Sequence, residues 1–128
     1  MISEGPRDVL KFYEDFRSHS GWEHLEAMRT FLPRVFRERD LSGCTFVTSH
    51  ETLCITRYRT YPQWLDKPSL FLNCTAKDRL KIEFQTTLAT SPVVRLLTES
   101  VNCPPELALQ EFDRLYARFL AANDVAPS

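Results

Sequence analysis

"SLFLNCTAKDRLKIEFQTTL", residues 69–88, decides how the chain is read. In its second half Leu80, Ile82 and Phe84 alternate with Arg79, Lys81, Glu83 and Gln85. A period of two sends alternate side chains to opposite faces, as in a half-buried strand. Leu70, Leu72 and Cys74 form a matching apolar row, and "TAKD" is short enough for a hairpin turn. Strands are therefore expected over 69–75 and 79–88, paired antiparallel, with one face charged and the other facing a core.

Working outward, two further strands are expected at about 44–49 and 53–60, joined by "SHET". Toward the N-terminus, Pro6 suits the first position of a helix over 6–18. Its apolar stripe is Val9, Leu10, Phe12, Tyr13 and Phe16. Ser20 and Glu23 form a capping box for a second helix, whose face is Trp22, Leu25, Met28, Leu32, Val35 and Phe36. Pro33 lies inside that pattern and predicts a kink or a restart. The two make a helical hairpin. After the sheet, "SPVVRLLTES" (91–100) offers Ser91 as a cap and Pro92 at a first helical position, so a short helix is expected. The strongest helix lies in "NCPPELALQEFDRLYARFLAAND", with Leu109, Phe112, Leu115, Tyr116, Phe119 and Leu120 as its stripe and Asn123 near its end. The expected architecture is one α+β domain over 1–128: an N-terminal helical hairpin, a four-stranded antiparallel sheet, then one short and one long C-terminal helix packed on one face.

Composition narrows the function classes. A chain of 128 residues with 43% hydrophobic residues and 26% charged ones fits a folded domain. A net charge of −1 argues against a dedicated nucleic-acid binder. No apolar run approaches ~18 residues, and "MISEGPRDVL" lacks the layout of a signal peptide, so a cytoplasmic protein without a membrane partner is expected. Cys44, Cys54, Cys74 and Cys103 are then expected as thiols.

Each candidate chemistry meets an obstacle. Cys44, His50 and Cys54 spread along a hairpin in C-x5-H-x3-C spacing, not the paired short spacings of a zinc site. Neither "CITRYR" nor "CTAKDR" has the spacing or the glycine of a phosphate-cradling loop. Cys103 stands before Pro104 and Pro105 at a helix start, where the dipole could lower its pKa. His19, His24 and His50 form no H-E-x-x-H pattern, and Gly5, Gly21 and Gly43 lie in no phosphate loop. No cofactor, metal or catalytic residue is assigned. Arg57 and Arg59, with Arg79 and Lys81, would make a cationic sheet face if their sides coincided.

One connection stands out. "RYRTYPQWLDKP" (57–68) is longer than a hairpin needs, and Pro62 and Pro68 exclude a central strand. Arg57, Arg59, Tyr61 and Trp64 are residue types that dominate interface hot spots, and they are taken as the binding residues. "VLKFYEDFRSHSGWEHLEAM" resembles the opening helices of the nuclear-transport-factor-like, or SnoaL-like, folds, which implies a pocket enclosed by sheet and helices. "TYPQWLDKP" resembles the Tyr-Pro…Pro loop of ubiquitin-conjugating and RWD domains. It departs from that loop in the five residues between Pro62 and Pro68, and no His-Pro-Asn tripeptide accompanies it. That resemblance implies a non-catalytic interaction domain. The expected function is protein–protein binding of the adaptor, immunity or assembly-factor type, with a homodimer as one possible form. The alternative is a small-ligand protein or cofactor-free enzyme with a pocket between sheet and helices.

Overall fold

The computed structural model describes residues 2–3, 5–15, 25–49, 51–57, 68–76, 78–90 and 93–125. Its elements run β1 (Ile2–Ser3), α1 (Pro6–Asp15), α2 (Glu26–Glu38), β2 (Thr45–Ser49), β3 (Thr52–Thr56), β4 (Ser69–Ala76), β5 (Arg79–Thr90), β6 (Val93–Cys103) and α3 (Pro105–Val125). The strands form one antiparallel sheet in the order β1-β2-β3-β4-β5-β6. The class is α+β as expected, but among the described residues the sheet has six strands and not four.

The expected short helix in "SPVVRLLTES" is strand. Val93 pairs with Thr90, and the ladder continues to Cys103 opposite Leu80. A helix of two or three turns is marginal alone, whereas β-branched Val93, Val94 and Val101 suit a ladder beside a strand of twelve residues. Two register shifts interrupt the ladder, between Phe84 and Gln85 and between Thr87 and Ala89. Such bulges bend and twist the hairpin locally. The other addition, β1, has two residues, too few to show a period.

The three described helices lie on one face of this sheet. A single cluster joins Val9 and Tyr13 of α1, Met28, Phe31 and Leu32 of α2, and Phe112, Leu115 and Phe119 of α3 to the sheet. The sheet contributes Phe46, Leu53, Ile55, Leu70, Leu72, Leu80, Ile82 and Phe84, and for the last five this is the parity read from sequence. Lateral neighbours confirm one face: Phe46 pairs with Ile55, Ile55 with Leu70, and Leu70 with Phe84. Val47 and Cys54, paired on the other face, are buried outside that cluster.

Pro33 does not restart α2, which runs through it. The ring is exposed, so the one clear cost is that Arg29 C=O receives no N–H from residue 33. The capping box at Ser20 and Glu23 lies outside the described residues. The α3 stripe is as expected, with Leu109, Phe112, Leu115 and Phe119 buried and Tyr116 and Leu120 half-buried. The helix is described to Val125, two residues past Asn123. Asn123 Nδ2 donates to Phe119 C=O at 2.8 Å and to Pro68 C=O at 3.3 Å, tying the last turn to the start of β4. No described helix is long and apolar enough to cross a membrane.

Candidate functional site

Arg57, the first residue of the long connection, follows β3 directly and is half-buried. Arg59, Tyr61 and Trp64 lie outside the described residues, as do His19, His24 and His50. The β2–β3 register pairs Thr45 with Thr56, so Cys44 and Arg57 flank the open end of that ladder. Cys44 shares the parity of Phe46 and therefore lies toward the helices, where its thiol meets the Tyr116 hydroxyl at 3.4 Å. The Arg57 guanidinium lies over Gly43, 3.6 Å from where a Cβ would stand.

The turn before β2 holds this corner in place. Asp40 Oδ1 accepts the Ser42 N–H at 3.0 Å, and Cys44 N–H donates to Leu41 C=O at 3.1 Å. Gly43 has φ 83°, a left-handed conformation that side chains with a Cβ rarely adopt. Arg39, at the end of α2, grips Asp113 of α3 through two hydrogen bonds of 2.7 and 2.8 Å. A groove of about 380 Å³ opens beside the turn, lined among others by Pro6, Phe36, Arg39, Asp40 and Cys44.

Electrostatics make the corner a set of donors, not a nucleophile. Burial pushes the Cys44 thiol above its ordinary pKa, while the Tyr116 hydrogen bond and the Arg57 guanidinium pull it back only in part. Burial and the neighbouring Cys44 raise the Tyr116 hydroxyl. The other titrating thiols move the same way. Burial pushes Cys74 up to about 11 and raises Cys103, with Glu111 adding to it. The thiol of Cys103, ahead of the α3 start, is therefore raised and not lowered. All four cysteines are free thiols.

Among the described residues, Arg57 lies on the opposite side of the sheet from Arg79 and Lys81. Lys81 pairs laterally with Asn73, on the face away from the helices, and its amine meets Glu83 at 3.3 Å. Arg79 is spent on Asn102, donating to its side chain and its carbonyl at 3.2 Å. Arg57 stands with Cys44 and Tyr116 on the helix side.

Sequence reasoning named Arg57 but did not place Gly43, Cys44 and Tyr116 beside it. The "SHET" turn carried half the signal, since pairing Ser49 with Thr52 and counting outward places Cys44 across from Arg57. Tyr116 had no such signal, because only the packing of α3 brings it there. Comparison of the chain with protein-family models, curated proteins and solved structures finds no match, and that includes the two families its segments resemble.

Proposed function

We propose that this domain works by binding another protein, through the corner where Arg57 leaves β3 and the connection that follows it. The observation that carries the reading is the state of Arg57. Its guanidinium is half-buried and held between Gly43 and Cys44, and no ion pair with a carboxylate joins it among the described residues. A pre-positioned guanidinium with donors to spare is suited to a carboxylate on a partner surface. Arg59, Tyr61 and Trp64 extend the same surface in this reading, as anchors of the hot-spot kind. A second copy of the chain is one form the partner can take.

The rival reading, a ligand pocket between sheet and helices, meets a filled interior. Phe31, Leu72, Ile82 and Phe112 are each at most 1% exposed where the two layers meet. The described grooves open on the outside.

Arg57→Glu in the full chain separates the outcomes. The complex recovered at native mass from cells is expected to disappear while Tm moves by no more than about 2 °C. Trp64→Ala is expected to do the same. Loss of binding together with a large fall in Tm would return these residues to the fold, and an intact complex would remove the proposed surface.

A further inference from the structure

Charge is balanced locally over most of the described side chains, and the exceptions fall in two places. Even Arg29 of α2, a cation whose side chain is only 3% exposed, has Glu26 at 3.2 Å. Arg79 forms no ion pair but is taken up by Asn102. Among the described side chains, every other Lys or Arg meets a carboxylate except Arg57 and the exposed Arg7. Among the carboxylates of the same set, Asp78 and Glu106, both exposed, have neither an ion pair nor a hydrogen bond.

The two cations stand beside one groove. Arg7 follows Pro6 in the first turn of α1, and Arg57 lies over Gly43. Pro6 and Gly43 are both walls of the groove of about 380 Å³ beside the β2 turn, whose apolar part is Pro6, Phe36, Leu41 and Phe46. Asp40, on the same groove, is turned to the Ser42 N–H. The two carboxylates, in contrast, stand beside an exposed apolar side chain. Asp78, between β4 and β5, and Glu106, in the first turn of α3, line one smaller groove. Leu107 follows Glu106 and is 55% exposed, the one large hydrophobic residue so exposed among those described.

A single exposed leucine needs no explanation by itself. Here it stands with two unpaired carboxylates, while the same chain offers two unpaired cations around an apolar recess. The patches are complementary in charge and in shape, an apolar projection against an apolar groove.

We propose that the occupant of the Arg57 corner is a second copy of this chain. It seats Leu107 in the groove against Pro6 and Phe36 and brings Glu106 and Asp78 to Arg57 and Arg7. A guanidinium is suited to take a carboxylate through two parallel hydrogen bonds. Each copy carries both patches, so two such contacts made reciprocally close a two-fold dimer. The inference rests on the reading of the Arg57 corner as a binding surface and names what binds there.

The test is sedimentation equilibrium of the full chain at about 1–100 µM, with one charge reversal on each patch. The wild type is expected as a dimer that weakens as NaCl rises from about 0.05 to 0.5 M. Arg57→Glu and Glu106→Lys are each expected to be monomers with Tm within about 4 °C of the wild type. Mixed in equal amounts, the two variants are expected to dimerise. One contact then joins the two unaltered patches, and the other joins the two reversed ones. Misfolded chains would not regain association in this way. Leu107→Ser is expected to weaken the dimer at least about tenfold.

A wild type that stays monomeric at about 100 µM would overturn the inference and leave the Arg57 surface to be judged by its complex in cells. A dimer that survives both reversals lies on another surface and overturns it too. Monomeric variants that fail to associate when mixed would keep Arg57 in an interface but remove Glu106 and Leu107 from it, which also overturns the pairing. An Arg57→Glu chain that keeps both its dimer and its cellular complex would remove the Arg57 surface as well.

Discussion

The Cys44 thiol and the Tyr116 hydroxyl, 72 positions apart in the chain, meet at 3.4 Å beside the Arg57 guanidinium. One residue precedes β2, one follows β3 and one lies on α3, so the corner reports on the packing of all three elements at once. Arg57 holds the Cys44 pKa down against burial. Arg57→Gln removes that pull, so the thiol titrates at higher pH and less thiolate is present at a fixed alkaline pH. Alkylation of Cys44 by iodoacetamide, resolved by peptide mass spectrometry, is expected to slow several-fold in the variant. The buried Cys54, Cys74 and Cys103 serve as references in the same digest. An unchanged or faster rate would separate Arg57 from the thiol.

Cys74 predicts an alkaline limb of stability. Its folded pKa is raised from 9.0 to about 11, chiefly by burial. A raised folded pKa contributes stability that is complete below the unfolded value and is lost as pH rises through the folded one. Unfolding free energy is therefore expected to fall between pH 9 and pH 11, with Cys74 accounting for roughly 2 kcal/mol. Denaturant titrations at several pH values should show a flatter limb for Cys74→Ala, although the variant starts from lower stability. Tyr13, raised further by burial with Cys74 and Glu51 beside it, leaves a remaining slope at higher pH.

Gly43→Ala tests the turn that carries the corner. The space over the glycine accepts a methyl group in ordinary contact with Arg57, so crowding is not the obstacle. The cost comes from φ 83° and is expected at about 1 kcal/mol in chemical denaturation. Gly43→Asn should lose less, because asparagine tolerates left-handed backbone better.

Phe112→Ala tests the seam between α3 and the rest of the core. The ring is fully buried, meets Phe31 edge-on at a centroid distance of 5.9 Å and stacks on Tyr116 at 5.4 Å. Removing it is expected to cost about 3–5 kcal/mol. Tyr116→Phe, which keeps the stack and deletes one hydroxyl, should cost about 1 kcal/mol.

How much of this was legible follows from what each residue has to signal. Leu80, Ile82 and Phe84 showed their face in sequence because a regular strand alternates without interruption. Val93 to Leu97 did not, because two register shifts in the β5–β6 hairpin leave Leu88 and Thr98 without partners and break the period. A Ser-Pro pair then reads as the opening of a helix. The α3 stripe was plain, yet nothing in it singled out Tyr116 from its apolar companions. Arg29 was invisible for the opposite reason: a cation in a helix reads as solvent-facing until its neighbours are placed. Of the four residues taken for binding, only Arg57 has a described position, and the rest of that surface stands on residue type.

The order of the sheet has a consequence for how the chain folds. From β2 to β6 every strand is bonded to its immediate successor, so four hairpins can close in turn with little loop entropy to overcome. The contacts of α3 are of another kind. Through Pro68, Cys44 and Arg39 they reach back 55, 72 and 74 residues. Assembly is therefore expected in two stages, a sheet built from neighbours and a final helix that docks onto it. Substitutions along α3 should then speed unfolding more than they slow folding.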